Sequence, residues 1–372
     1  IQCLAMNKTT LLLLKILRME LWNEKDMPNC DINSKEYHSL MDLATKQAVT
    51  GIVAQSITDK KLNIKLSPED AVKTLMQFQH IQQLNVLINA ELIALAELFN
   101  KHNIKFIVFK GQTNAINYPH PLSRIPGDID FYVPQEDLDK AISILKKEWN
   151  ANIENNGSLH HLEFTHNKVL FEMHFAVLGF YSSRQKEVFE KIALSRPVSF
   201  VEINGHNIPT FEPLINIVYT FAHLWYHLLE LGVGLRQMCD LAKLIEIAFP
   251  ENDENNEEKA GKLAEILNEI GFYKAFCAIE EVLQNHLGLK YIPIKPKINP
   301  IYSQSIMNRI MRYGNFGHFG RKGNRTQLRF YIYLTLERTW TFIKFYPLDK
   351  REIKARLFKE IPNKVFSFHK MK

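Results

Sequence analysis

The spacing of apolar positions divides the chain into a helical start, a mixed middle and a helical end. Over the first hundred residues it predicts three helices, the first in a Leu-rich run at 11–21. Lys15 and Arg18 interrupt that run and favour a packed helix over a signal peptide. Asn33 and Ser34 predict the start of a second helix ending near residue 56. Ser67-Pro68 predicts the N-cap and first turn of a third, ending near residue 100. We therefore expect an N-terminal helical region over residues 1–100.

The pattern changes to short apolar runs in the middle of the chain. Residues 104–109 (IKFIVF) are β-branched or aromatic at most positions, which predicts a buried strand. A short helix at 111–117 and a proline-rich loop lead to a second strand at 128–133. The segment 135–148 has the apolar spacing of an amphipathic helix.

Two hairpins complete the middle part. The runs 159–165 and 168–175 predict one hairpin that turns at His166-Asn167. The segment 198–208 predicts another that turns at Asn204-Gly205, a dipeptide typical of tight two-residue turns. Residues 101–210 are therefore expected to form a small α/β core. From Glu212 onward helical spacing dominates again, which predicts a C-terminal helical region over residues 211–372.

The last part of the chain is strongly basic. Residues 291–372 contain 18 Lys and Arg against 4 Asp and Glu, a net charge of +14, whereas the remainder has a net charge of −8. Such asymmetry suggests contact with a polyanion (a nucleic acid, a nucleotide or an anionic membrane), or else a solvated tail. Arg321, Arg325 and Arg329 form a possible basic stripe before an aromatic-rich segment. For that segment we favour an amphipathic helix with aromatic side chains in the core, and nucleic-acid binding second.

Two further observations concern the location of the protein. The longest uncharged run, residues 213–229, is 17 residues long and contains two histidines. A membrane span needs about 20 mostly apolar residues, so we expect a buried helix and no transmembrane span. The four cysteines are scattered and form no CxxC pair, which is typical of reduced thiols and predicts a cytoplasmic protein.

The candidate chemistry centres on three carboxylates. Asp128 and Asp130 are two residues apart on a predicted strand, so both side chains leave the same face while Ile129 and Phe131 point into the core. Glu172 lies on a later predicted strand and shares a face with His174. Clustered carboxylates repel one another unless a cation lies between them, and oxygen ligands favour Mg²⁺, or Mn²⁺ in its place. Three carboxylates can hold two such ions for phosphoryl or nucleotidyl transfer.

Upstream residues offer contacts for a phosphate. Gly111 at a strand-to-helix junction allows the backbone to approach a phosphate, and the following helix N-terminus presents free N–H groups. Lys110 and Arg124 add positive charge near a triphosphate, and His174 is placed to contact substrate or orient an acid.

These motifs together resemble the uncharacterised nucleotidyltransferase family of the polymerase-β-like superfamily. They comprise Lys110-Gly111, Tyr118-Pro119, Arg124, Gly127-Asp128-Ile129-Asp130, Glu172-Met173-His174, His223, His227 and the segment 234–242. The resemblance implies a small mixed sheet with helical flanks, and a reaction that uses an NTP. It also implies Asp128, Asp130 and Glu172 as catalytic and metal-binding residues. Because Gln112 stands where the superfamily usually has Gly or Ser, Thr113 is the candidate hydroxyl for phosphate contact.

Other polar side chains have two interpretations each. His223 and His227 share a helical face with Tyr219 and are either packed histidines, which we favour from spacing alone, or part of a substrate pocket. Arg236 and Asp240 are either a helical ion pair or, as the resemblance implies, residues facing the cleft.

A group of four histidines also surrounds the first hairpin. A zinc site is conceivable there, but we favour exposed histidines on paired strands, with His174 as the exception because it shares a face with Glu172. The residues in question are His160, His161, His166 and His174.

We expect an enzyme that transfers an NMP from an NTP to an unidentified acceptor and releases pyrophosphate. One alternative is a toxin-like or regulatory modifier on the same fold, whose acceptor is a protein side chain or a tRNA end. The other is a binding module that holds nucleotide or metal without turnover. The acceptor class (small molecule, tRNA or protein) stays open at this point.

Overall fold

The computed structural model describes residues 7–24, 32–62, 64–154, 158, 160–294, 298–320 and 328–360. The N-terminal helices are α1 (Lys8–Trp22), α2 (Ser34–Lys46), α3 (Thr50–Thr58) and α4 (Pro68–Lys101). The Leu-rich start forms α1, whose Leu13, Ile16 and Leu17 are fully buried. At the start of α4 the Ser67 hydroxyl accepts a hydrogen bond from the backbone N–H of Asp70, as predicted for an N-cap.

The single helix predicted at 34–56 is wrong, because the structure has two helices there. Ala48 adopts a left-handed backbone (φ 56°), which ends α2 before α3 begins. The neighbouring Gln47 is fully buried, and its side chain binds backbone of the C-terminal helical region. Its amide donates to the carbonyl of Ile310 and accepts from the N–H of Leu235. The break is therefore fixed by long-range contacts that local spacing does not encode.

The middle part forms one six-stranded mixed sheet in the order β3-β4-β2-β1-β6-β5. The pairs β2–β4 and β1–β6 are parallel, and the other pairs are antiparallel. This confirms the expected mixed sheet between helical flanks. The strands are β1 (Ile107–Phe109), β2 (Ile129–Tyr132), β3 (His161–His166), β4 (Val169–His174), β5 (Val198–Ile203) and β6 (His206–Phe211).

Three helices accompany the sheet: α5 (Gly111–Ala115), α6 (Gln135–Glu148) and α7 (Ser183–Ser195). The prediction for α6 is confirmed, whereas α5 is shorter than expected and α7 was not predicted. In α7 only two apolar side chains, Phe189 and Ala193, are fully buried, so its helical spacing is sparse in the sequence.

The turns of the two hairpins differ in how well the sequence predicted them. Asn204 and Gly205 both have positive φ, as a tight turn of the predicted type requires. The first hairpin instead turns at Asn167 and Lys168, with φ of 45° and 68°, one residue later than predicted.

The C-terminal part is helical, as predicted. It comprises α8 (Pro213–Glu230), α9 (Leu235–Ala248), α10 (Asn256–Ile270), α11 (Tyr273–Val282), α12 (Ile301–Tyr313), α13 (Leu328–Phe345) and α14 (Lys350–Ala355). One hydrophobic cluster joins residues of α1–α3 with residues of α8–α12, while a second lies between the sheet, α4 and α6. The N-terminal and C-terminal helices thus share a core. Among the described residues, no helix combines the length and apolar character needed to cross a membrane.

The aromatic residues of α13 are divided between core and surface. Phe342 and Phe345 are buried, in agreement with the favoured amphipathic helix, whereas Tyr333 and Trp340 are exposed. Of the proposed basic stripe, Arg321 and Arg325 lie outside the described residues, and so does the side chain of Arg329.

Glu280 of α11 is a buried acid away from the sheet. Its side chain is 1% exposed; Oε1 accepts a hydrogen bond from the N–H of Ile294, and Oε2 has no hydrogen-bond partner in the described part of the chain. Burial raises the pKa of the Glu280 carboxyl well above its usual value.

We predict that Glu280→Gln removes a pH-dependent loss of stability. Between about pH 4.5 and the raised pKa, the carboxyl is protonated in the folded state and ionised in the unfolded state. As the pH rises through this window, the ionisation of Glu280 in the unfolded state lowers the free energy of unfolding of the wild type by about 1.4 kcal/mol per pH unit. The Gln variant has no carboxyl at this position and lacks this contribution. Urea unfolding of both proteins at several pH values measures the difference. A difference that does not change with pH contradicts the prediction.

Candidate active site

Three neighbouring strands carry acidic and histidine side chains on one face of the sheet. In the register, Asp130 of β2 lies beside Glu172 of β4, and His161 of β3 lies opposite His174 of β4. The alternate residues of the strands point to the other face, where they are buried against α4 and α6. Strand register therefore concentrates the polar side chains on the face that borders a cavity of about 330 Å³.

The turn after β1 directs Lys110 into this group. Lys110 Nζ lies 2.9 Å from Asp130 Oδ1 and also donates a hydrogen bond to His223 Nε2 at 2.9 Å. Its backbone has φ 47° and ψ −149°, and Gly111 follows with φ 50°. This backbone conformation costs a non-glycine residue about 1–3 kcal/mol, and such strain persists only where surrounding contacts offset it. For Lys110 these contacts are the ion pair with Asp130 and the buried surroundings of the side chain.

The charges around Asp130 are balanced. Asp130 is 1% exposed, and His174 Nε2 lies 3.1 Å from the same Oδ1 that Lys110 contacts. Burial alone opposes ionisation, but the Lys110 charge and the His174 hydrogen bond outweigh it and hold the pKa of Asp130 well below its usual range. Burial also lowers the pKa of His174, yet its contacts with Asp130 and Glu172 raise the net value.

Asp128 has the opposite electrostatic environment. It precedes β2, lines the cavity and has no ion-pair partner among the residues that the structure describes. Repulsion by the Asp130 charge, together with burial, raises the pKa of Asp128 to about 7. Such a carboxylate is stabilised by a cation that both acids can share.

The donor set fits a divalent cation. Oxygen and nitrogen ligand atoms of Asp130, Glu172 and His174 lie within 4.8 Å of one another, and Asp128 borders the same cavity. Hard cations such as Mg²⁺ prefer carboxylate oxygens, and a shared cation removes the repulsion that raises the pKa of Asp128. Asp128, Asp130 and Glu172 are therefore the residues that would hold such an ion.

The phosphate-binding candidates near Gly111 differ in availability. The Thr113 hydroxyl donates to the backbone carbonyl of Lys110 at 2.7 Å, and Thr113 is not among the cavity-lining residues. Asn114 does line the cavity. It is 1% exposed, and neither its amide oxygen nor its amide nitrogen has a hydrogen-bond partner in the described structure. Asn114, which sequence reasoning missed, is thus a cavity-lining side chain with unused hydrogen-bonding capacity.

Arg124 lines the cavity, but its guanidinium is engaged. Its Nε and Nη2 both lie 2.7 Å from the Asp240 carboxylate, and the Tyr118 hydroxyl donates to that carboxylate at 2.7 Å. Arg236 instead donates to the backbone carbonyl of Ile125 at 3.1 Å. Arg236 and Asp240 both border the cavity, but Asp240 is bound by Arg124 and Tyr118.

His223 and His227 lie on the α8 face that borders the cavity. Their Nε2 atoms are 3.1 Å apart, and Tyr219 on the same face is fully buried. Burial and then the Lys110 charge lower the pKa of both rings, that of His227 to about 4, so both are neutral at pH 7. Neither belongs to a group of three possible metal ligands among the described residues.

The structure separates the four histidines of the first hairpin. His166 stacks on Trp149 at 4.1 Å between ring centroids and contacts Glu91 at 2.6 Å. His160 and His161 instead border the cavity together with His174, so the expectation of exposed histidines fails for these two. The sequence could have predicted this position from the register of the hairpin, because a turn at Asn167 and Lys168 brings His161 opposite His174.

A larger cavity of about 1250 Å³ lies elsewhere, between α1, α2, α12 and α13. It is lined mostly by neutral polar and apolar side chains, and its Arg309 is paired with Glu337 at 2.8 Å. None of the three candidate catalytic carboxylates borders it. The candidate carboxylates therefore border the smaller of the two cavities.

Comparison with known proteins gives the family of the chain. The profile of a family described as uncharacterised nucleotidyltransferase matches residues 33–288, which include the whole sheet and its carboxylates. An antigenic nucleotidyltransferase-like protein from Paracoccidioides brasiliensis is structurally similar, with 14% identity and a TM-score of 0.35, over 56% of this chain and 93% of that chain. No curated protein sequence matches the chain. The family match covers more than half of the sequence, and the chain belongs to the uncharacterised nucleotidyltransferase family.

Proposed function

We propose that the protein is a Mg²⁺-dependent enzyme that transfers an NMP from an NTP to an acceptor. The observation that carries this proposal is the convergence of Asp128, Asp130 and Glu172 on one cavity, in a chain of a nucleotidyltransferase family. In the transfer, a nucleophilic oxygen of the acceptor forms a bond to the α-phosphorus. The bond between the α-phosphorus and the oxygen bridging to the β-phosphorus breaks, and pyrophosphate leaves with that electron pair.

Each carboxylate has a distinct part in this proposal. Asp128 and Asp130 bind the cation, and Glu172 either completes the metal site or accepts the proton of the acceptor. When bound, Mg²⁺ supplies charge stabilisation for the attacking and leaving oxygens. Mn²⁺, with similar ligand preferences, is expected to substitute.

The neighbouring side chains bind and orient the nucleotide. Lys110 supplies positive charge next to the carboxylates, and Asn114 offers an amide that is otherwise unpaired. Gly111 allows the backbone to approach the phosphates, while Thr113 supports the turn through its bond to the Lys110 carbonyl. Arg124, held by Asp240, fixes the loop before β2, and His174 orients Asp130. His223, His227 and Arg236 line the remaining wall.

A macromolecular acceptor is favoured over a small one by the C-terminal part. Residues 291–372 have a net charge of +14, and α13 exposes the aromatic side chains of Tyr333 and Trp340. Basic charge beside exposed aromatic side chains suits a nucleic acid, including a tRNA end. A toxin-like or regulatory modifier of RNA or protein is therefore the second candidate, with the same transfer chemistry.

The first test is calorimetry with each NTP, with and without Mg²⁺. We expect Mg²⁺-dependent binding by the wild type and its loss in Asp128→Asn/Asp130→Asn, because the cation loses two ligands. Where transfer is measurable, its rate should fall at least about 100-fold, the scale of losing one preorganised charge-stabilising group. Asp139→Asn, an exposed acid on α6, is the matched control. Transfer by a folded double variant excludes this site, and Mg²⁺-dependent binding without turnover supports the non-catalytic binding module.

A second test addresses the unpaired amide. Asn114→Ala should weaken NTP binding by about 10- to 150-fold, since one hydrogen bond to a charged group contributes about 1.5–3 kcal/mol. Asn117→Ala is the control, because Asn117 follows in the same segment but does not line the cavity. Equal affinities of the two variants would remove Asn114 from the nucleotide site.

A third test concerns the acceptor. Replacing Arg321, Arg325 and Arg329 by Glu should weaken transfer to a macromolecule, make that transfer less dependent on salt, and leave transfer to a small acceptor unchanged. Replacement of Lys140, Lys146 and Lys147 of α6 by Glu is the matched charge control. If both triple variants behave alike, the basic end does not dock the acceptor.

A further inference from the structure

Three histidines meet at the end of the β3–β4 hairpin, next to the carboxylates. His161 is the first residue of β3, and His174, its cross-strand partner, is the last residue of β4. His160 immediately precedes β3, and its carbonyl accepts hydrogen bonds from the N–H groups of Phe175 and Ala176. Two backbone segments thus fix the positions from which the three rings extend.

The three rings are spaced as ligands of one ion are. Their centroids lie 4.5 Å (His160–His161), 5.5 Å (His160–His174) and 5.2 Å (His161–His174) apart. Three imidazoles on one tetrahedral Zn²⁺, with Zn–N bonds of about 2.0 Å, have centroids about 5 Å apart. Each residue also offers one nitrogen such that all three nitrogens lie within 4.8 Å of one another.

Unused ligand atoms and a fitted cradle point to the same place. The Nδ1 atoms of His161 and His174 are buried and have no hydrogen-bond partner in the described structure, and His174 is 3% exposed. Buried polar atoms normally have a partner, so these two nitrogens are available to bind a ligand. A Cβ on Gly179 would lie 2.9 Å from His160 Nδ1, so only glycine leaves room for that ring.

We propose that His160, His161 and His174 form a binding site for a transition-metal cation of the Zn²⁺ class. Glu172 Oε2 lies 3.7 Å from His161 Nδ1 and 3.5 Å from His174 Nε2, so this carboxylate lies between the histidines and the aspartates without belonging to the group of three histidines. Imidazole nitrogen selects Zn²⁺, Co²⁺ and related ions, whereas Mg²⁺ prefers oxygen ligands. The histidine site and the aspartate pair are therefore selective for different cations.

The test is titration of the chelator-treated full chain with Co²⁺, followed by visible absorption. We expect one equivalent of Co²⁺ to give the visible bands of a nitrogen-ligated ion, Zn²⁺ to abolish them by competition, and excess Mg²⁺ to leave them unchanged. His160→Ala/His161→Ala should weaken Co²⁺ binding at least about 100-fold, because two of three imidazoles are lost. His206→Ala, which removes an exposed histidine of β6, is the matched control and should bind like the wild type.

Several results would overturn the proposal. One is that the wild type shows no visible bands with Co²⁺. Another is that the bands survive in the folded His160→Ala/His161→Ala variant. Bands that disappear in His227→Ala but persist in His160→Ala place the ion at the α8 histidines and also contradict it. If the double variant does not fold, the single variant His160→Ala, checked by circular dichroism, decides instead.

A separate variant distinguishes this proposal from the proposed function. Asp128→Asn should abolish NMP transfer and retain Co²⁺ binding, since Asp128 is not among the clustered ligands. Absence of transfer in the wild type with intact Co²⁺ binding would reject the function and leave the metal site standing. The reverse result would reject the metal site alone.

Discussion

The arrangement of the candidate site follows from bringing three carboxylates together at one face of the sheet. Asp130 and Glu172 are neighbours in the β2–β4 register, and Asp128 precedes the same strand. Neighbouring carboxylates oppose one another's ionisation, and burial of Asp130 disfavours its ionised form further. Two contacts stabilise the charge of Asp130. The Lys110 ammonium lies 2.9 Å from its carboxylate, and His174 Nε2 lies 3.1 Å from the same oxygen. Much of the remaining structure holds these groups in position.

The helical regions provide that support from both ends of the chain. Asn85 of α4 donates to the backbone carbonyls of Leu122 and Arg124, and a Cβ on Gly51 of α3 would lie 2.1 Å from the carbonyl of Ser123. From the C-terminal side, Asp240 of α9 binds the Arg124 guanidinium in a buried pair. Loss of one partner of such a pair leaves an uncompensated buried charge and costs about 3–5 kcal/mol. The loop before β2 is thus clamped between two helical regions that share one core.

Much of the site was visible in the sequence because strand alternation is local. The two-residue spacing of Asp128 and Asp130 requires only an extended backbone, and the apolar residues between them identify the buried face. Local sequence patterns did not reveal which charged side chains pair with one another. The pairing of Arg124 with Asp240 joins residues 116 positions apart, and it replaced the local alternative of a helical Arg236–Asp240 pair.

A small error in a turn had a larger effect on the histidines. Placing the first hairpin's turn one residue early shifts every cross-strand partner by two positions, so that His161 faces Glu172 instead of His174. The positive φ of Lys168 was the unforeseen element, because lysine is not a usual residue for that conformation. In the same way, the break at Ala48 depends on Gln47 contacts with backbone far along the chain.

Asp128 differs from the other two carboxylates in its neighbours. Lys110 and His174 both contact Asp130, and His174 also approaches Glu172, which leaves Asp128 without a cationic partner among the described residues. The pKa of Asp128 is about 7, so repulsion by Asp130 and burial remove most of the preference for the ionised form at pH 7. A divalent cation shared with Asp130 would favour the ionised form of Asp128, whereas a triphosphate alone would add negative charge beside it. In the proposed function, nucleotide binding would therefore need a cation that arrives with the nucleotide or before it.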